Sequence, residues 1–228
     1  MNEMENAQLL LTFARDFFRG SLKSSNKTYS EYYGAATSSR KQRRIENHDK
    51  AGYAIGALRA HEHASQKMKS LLATDREQRA GNCNEYATVA LRQGVSLKIP
   101  DIWFAENDMH TFIMLAEDLP PSMILNDFHY RVDSNAWVCD PWCNLFCEIH
   151  AFPMMIMERA GKWEMQGKEI YSGSDTIAAL ATHWAQRLLK TKIYFDRMTD
   201  NTGRPTDFYK KYHTLSWSTK VSRWWHSR

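Results

Sequence analysis

Three residues of this chain have types and settings suited to covalent chemistry: Cys83, His110 and Asp140. They follow one another at separations of 27 and 30 residues. Cys83 comes after Gly81-Asn82 and leads into the apolar run Tyr86 to Leu91, which predicts a helix with Cys83 at its N-terminus. A thiol there faces unpaired backbone N–H groups and the positive end of the helix dipole, which favours the thiolate. His110 opens the strand-like run Thr111 to Leu115. An imidazole on a neighbouring strand can pair with the thiolate and then protonate a leaving group. Asp140 ends a second such run, Ala136 to Asp140, just before Pro141-Trp142. A carboxylate at that position can hold the other imidazole nitrogen and fix its tautomer. The backbone N–H of Cys83, with a side-chain amide from Gln78 or Asn82, would complete an oxyanion hole.

Each residue also has a plainer use. Cysteine is commonly a small buried hydrophobe. His110 could be a hydrogen-bonded strand residue, and Asp140 could start a turn ahead of Pro141. Glu85 is a first-turn acid that stabilises its helix whatever Cys83 does. The joint order and contexts favour the catalytic arrangement over the three separate uses. A rival set is Cys139, Cys143, Cys147 and His150, four soft ligands within twelve residues. Their spacing does not match the usual zinc knuckle, and a Cys139 beside Asp140 in a strand points to the opposite face. They would serve a non-enzymatic metal-binding or interaction module.

Ala80-Gly81-Asn82-Cys83-Asn84-Glu85, Met109-His110-Thr111-Phe112 and Trp137-Val138-Cys139-Asp140-Pro141-Trp142 together resemble the papain-like and transglutaminase-like cysteine hydrolases, in particular compact bacterial effectors and toxins. The resemblance covers residues 78 to 142. It implies an α+β core with the catalytic Cys at a helix N-terminus packed on an antiparallel sheet. It implies Cys83 as nucleophile, His110 as acid and base and Asp140 as its orienting partner, with Gln78, Asn82 and Trp142 near the substrate. No cofactor and no metal are then needed. The substrate would be a carboxamide of a protein, such as one of a host cell. Glutamine deamidation is the first expectation, with proteolysis or transamidation as alternatives within the same chemistry.

The elements that must position these residues follow from apolar periodicity. Leu9, Leu10, Phe13, Phe17 and Phe18 predict a helix over 5–19, ended by Gly20. Ile55, Leu58, Met68, Leu71 and Leu72 predict one helix over 52–72, with His61 and His63 inside it on different faces. Residues 21–50 show no period; Ser24 to Lys27 read as a solvated loop and the basic run Arg40 to Arg44 as a solvated helix face. Ile177, Leu180, Ala181, Trp184, Leu188 and Leu189 predict a helix over 175–189 with Ser174 as N-cap. One domain over 1–228 is expected, with a helical part (1–74), the Cys-helix and sheet (75–160), and a C-terminal helical part with a basic aromatic tail (161–228).

Composition limits the partners. The chain has 30 Lys and Arg against 26 Asp and Glu, a net charge of +4, which is too mild to imply a nucleic-acid binder. Its mean hydropathy of -0.58 and lack of a long apolar run imply no transmembrane segment. Trp217, Trp224 and Trp225 stand in the basic tail, which is read as packing on the domain body. The acidic start Met-Asn-Glu-Met-Glu lacks the positive charge of a secretory signal. The expected setting is therefore the cytoplasm, or a host cell reached by a secretion route without a cleavable signal. The four cysteines are expected as free thiols.

Overall fold

The computed structural model describes residues 2–30, 37–61, 63–132, 135–171 and 178–214. Helix α1 (Glu3–Phe17) is capped reciprocally by Asn2 and Glu5 and buries Ala7, Leu10, Leu11 and Ala14 at helical spacing. Strand β1 (Lys27–Tyr29) and helices α2 (Ser38–Arg59) and α3 (Ala64–Ala73) follow, and a short 3₁₀ turn (Arg76–Gln78) leads to α4 (Cys83–Ser96). The sheet strands are β2 (Ile102–Glu106), β3 (Thr111–Leu115), β4 (Ser122–Ile124), β5 (Trp137–Asp140) and β6 (Leu145–Glu148). Helix α5 (Phe152–Met165), strands β7 (Lys168–Ile170) and β8 (Ala179–Leu180), helix α6 (Ala181–Leu189), strand β9 (Lys192–Arg197) and helix α7 (Asp207–Thr214) complete the described chain.

The fold is α+β. Six antiparallel strands run in the order β4-β9-β2-β3-β5-β6, and β1-β7-β8 form a second antiparallel sheet. Strand β9 comes from the C-terminal third yet lies between β4 and β2. The 75–160 and 161–228 parts are thus interleaved in one sheet. Register assigns the faces, because successive side chains alternate. Phe104 pairs with Ile113, and Ile113 pairs with Cys139, so these three share a face. Phe104 meets Tyr212 of α7 there. On that face α4 packs so close that a Cβ on Gly94 would lie 2.3 Å from Ile102 Cδ1. Cys83, Ala87, Ala90 and Gly94 recur at i, i+4, i+7 and i+11, so they form the edge of α4 turned to the sheet. Phe112 lies on the opposite face against Phe152 of α5.

Two helix expectations change. The single helix over 52–72 is two helices, with His61 and His63 in the break between α2 and α3. Helix α2 begins at Ser38, so the basic run Arg40 to Arg44 is a helix face as read, though nothing in the sequence marked where the helix starts. Residues 38–50 of α2 include no buried side chain. With no core face to mark them, periodicity has nothing to register. Helix α6 begins at Ala181 rather than 175; Ser174 lies outside the described residues, as do Trp217, Trp224 and Trp225. Among the described residues no helix is long and apolar enough to cross a membrane.

Candidate active site

His110 and Asp140 come together. His110 immediately precedes β3 and Asp140 ends β5, its antiparallel neighbour. Asn107 Oδ1 accepts from the backbone N–H groups of Met109 and His110, which fixes the turn that delivers the imidazole. His110 Nε2 lies 2.6 Å from Asp140 Oδ2, with both side chains fully buried. Burial alone would push the imidazole down, but the Asp140 carboxylate outweighs it, helped by Cys143, and holds His110 well above its ordinary value. Burial would likewise raise Asp140, and the charge and hydrogen bond of His110 keep it below the usual carboxylate value. Both shifts run in the direction that favours an imidazolium beside a carboxylate. The ring centroids of Trp142 and Trp184 stand 5.4 and 5.6 Å from that of the imidazole.

The thiol in contact with His110 is Cys143, not Cys83. Cys143 Sγ lies 3.7 Å from His110 Nε2, and the Cys143 backbone N–H donates to Asp140 Oδ1 at 2.9 Å. Cys143 is sealed from solvent, and burial pushes its thiol up to about 12. Cys83 is half-buried at the first position of α4. It makes no hydrogen bond to the imidazole, whose Nδ1 is buried without a partner. Strand alternation gives the reason. His110 and Asp140 project from the face that carries α5 and α6, whereas α4 packs on the other. Both nonetheless lie at one end of the sheet. Asn84 Nδ2 of the first turn of α4 reaches Glu106 Oε1 at 3.4 Å, and Glu106 ends the strand that turns into His110.

The other expected site residues take different positions. Gln78 is exposed on the 3₁₀ turn. The Asn82 amide donates to Ser25 Oγ and Asn26 Oδ1, and its oxygen accepts from Ser24 Oγ and the Asn26 backbone, so no donor is left for an oxyanion. Trp142 is buried beside His110, and its indole N–H donates to Ser24 Oγ. One neighbour corrects a sequence reading: Lys27, read within a solvated loop, lies in β1 with its ammonium buried between two indoles. Lys27 Nζ sits 3.7 Å and 3.9 Å from the ring centroids of Trp142 and Trp163 and donates to the Trp142 carbonyl at 2.6 Å. Burial holds its ammonium well below the usual lysine value. Cys143 had a signal: an Asp three residues ahead of it can accept its N–H as a turn does.

Glu85 makes the second buried acid. Its carboxylate takes Lys67 Nζ at 2.7 Å, Arg59 Nη2 at 3.2 Å and the Asn82 backbone N–H at 2.9 Å. Burial opposes its ionisation, but Lys67 and Arg59 prevail and hold it far below the carboxylate range.

For metals, the ligand atoms of His110, Asp140 and Cys143 lie within 4.8 Å of one another, the one such group among the described residues. The set Cys139, Cys143, Cys147 and His150 does not gather. Cys139 pairs with Phe146 and Cys147 with Val138, so the two thiols take opposite faces. His150 Nδ1 instead lies 3.3 Å from Glu148.

Set against known proteins, the chain matches no family model, no curated protein and no solved structure.

Proposed function

We propose that the chain is a thiol hydrolase of carboxamides with a papain-like or transglutaminase-like arrangement, in which the His110–Asp140 pair serves Cys83. One observation carries the reading. The imidazole is anchored through Nε2 by a buried carboxylate, and its Nδ1 is buried without a hydrogen-bond partner. An imidazolium so held can stabilise a nearby thiolate. Cys83 is preferred to Cys143 as nucleophile because a substrate can reach it, and because Cys143 shares the nitrogen already taken by Asp140. Catalytic contacts are often long in a substrate-free enzyme and tighten on binding. Cys83 and His110 start on opposite faces of the sheet, so substrate binding would have to bring the first turn of α4 round the sheet end to the imidazole.

The thiolate sulfur attacks the amide carbon. The C–N bond then breaks, and the proton from His110 Nδ1 leaves with the amine or ammonia. Water, deprotonated by His110, cleaves the thioester and restores the thiol. A protein glutamine is the preferred amide, with peptide cleavage as the alternative. A bacterial effector acting on a host protein is the setting in which this chemistry fits best.

Ammonia release from a panel of glutamine-bearing peptides tests the proposal, with peptide mass analysis scoring cleavage in the same samples. Cys83→Ser abolishes turnover and Cys143→Ser retains it. Turnover that survives Cys83→Ser overturns the assignment.

A second reading is favoured by the convergence of His110, Asp140 and Cys143. The same three side chains could hold a transition metal. Stoichiometric zinc or iron in the purified protein, lost in Cys143→Ser, would replace the hydrolase reading with this one.

A further inference from the structure

Away from His110, positive charge gathers in a group with no carboxylate partner among the described residues. Arg15 of α1 donates from Nη1 to the Pro141 carbonyl at 3.4 Å. Arg159 of α5 donates to the Asn144 carbonyl at 2.9 Å, on the same β5–β6 turn. Arg44 of α2 donates to the Ser24 carbonyl at 3.4 Å, next to Lys23. Lys168 of β7 belongs to the same group. Among the described residues none of these five has a carboxylate partner. They repel one another. Burial lowers Lys23, and Arg44, Arg15 and Arg43 lower it further. Burial, then Arg44, Lys23, Arg159 and Arg15, bring Lys168 to about 8.

A cavity of about 360 Å³ opens beside this group, lined by Arg15, Arg19, Lys23, Tyr86 and Asn144. Its one acid, Asp16, is engaged by Arg19. The volume falls in the range of small-ligand sites. Each guanidinium spends one N–H on a carbonyl and keeps others for an anion. Planar guanidinium forks suit phosphate oxygens in particular.

We propose that this cavity binds a small anion carrying several phosphate charges. Arg15, Arg19 and Lys23 line it against the single carboxylate of Asp16, and Arg44, Arg159 and Lys168 stand close enough to Lys23 and to one another to add to its positive field. The inference does not depend on the hydrolase reading, because neither Cys83, His110 nor Asp140 lines the cavity.

Calorimetric titration of the full chain with inorganic tripolyphosphate tests it, with sodium sulfate at matched ionic strength as the comparison. Saturable binding at one site is expected, tighter for tripolyphosphate than for sulfate. Lys23→Gln and Arg15→Gln each weaken it roughly tenfold, the effect of one good charged contact. Lys69→Gln, on the exposed side of α3, leaves it unchanged. Melting curves of the two cavity variants check that they fold, and both should melt no lower than wild type because repulsion is relieved. Absence of saturable binding overturns the proposal, as does binding of wild-type strength in both cavity variants. Binding to single-stranded oligonucleotides that strengthens with their length would also overturn it, since the face would then be a nucleic-acid track.

Discussion

Glu85 and Asp140 are both fully buried, ionised and within hydrogen-bond reach of a cation, yet they build opposite kinds of site. Glu85 is closed on every side by groups with fixed charge: an ammonium, a guanidinium and a backbone N–H. That knot ties α4 to α2 and α3. Asp140 is closed by an imidazole and a backbone N–H, with a thiol alongside. Its cation can titrate and keeps an unused nitrogen. A buried acid thus marks chemistry only when its partners can move protons. Glu85, read from sequence as a helix-stabilising acid, takes a structural role through long-range partners that sequence did not reveal.

The comparison is sharpened first by removing each acid. Glu85→Ala strands a buried Lys67 and should cost about 3–5 kcal/mol. Urea unfolding monitored by circular dichroism reads this. Asp140→Asn keeps the shape and a hydrogen-bond partner, and His110 can shed its proton, so the loss should be smaller, about 1–3 kcal/mol. An equal or larger loss for Asp140→Asn would break the distinction.

Titration separates the two more finely. His110 is raised in the fold, so its contribution is present below its unfolded value and is lost as pH climbs through the folded one. Asp140 and Glu85 are lowered, so theirs is present above the unfolded carboxylate value and fades as pH falls. Melting temperature should therefore hold a plateau between an acid arm and an alkaline arm. Glu85→Gln should flatten only the acid arm. Asp140→Asn should flatten both, and the His110 imidazole, followed by NMR, should titrate at lower pH. An unchanged alkaline arm in Asp140→Asn would contradict the imidazolium–carboxylate pair.

The smallest effect is expected at Lys27. Its ammonium lies between two indoles, and burial holds it below its usual value. Replacement by an apolar side chain of similar length removes both the cost of burying charge and the cation–π attraction. Lys27→Met should change stability by less than about 1 kcal/mol. A loss as large as that of Asp140→Asn would make Lys27 part of the charged cluster rather than its apolar wall.

How much of this was legible in sequence follows from what is local. Helix α4, strands β2, β3 and β5, and the placing of His110 and Asp140 at adjacent strand ends follow from apolar patterning and turn residues. The side of the sheet on which α4 packs depends on pairings far apart in the chain. Sequence therefore put Cys83 and His110 at one end of the sheet but not on their faces. The start of α2 escaped for want of a buried stripe, and Lys27 because its two indole neighbours come from residues more than a hundred positions away. Cys143 was weighed as a metal ligand, though its distance of three from Asp140 already suggested the turn that seats it on His110.

The central claim is that the His110–Asp140 pair serves the Cys83 thiol. Limiting iodoacetamide labelling of the native protein between about pH 5 and 9, with each modified cysteine mapped by peptide mass spectrometry, tests it most directly. The account predicts that Cys83 labels first, that its reactivity persists well below the ~8.5 of a free thiol, and that His110→Gln and Asp140→Asn both slow it. Labelling of Cys83 at an ordinary thiol's rate, unchanged in both variants, would contradict it.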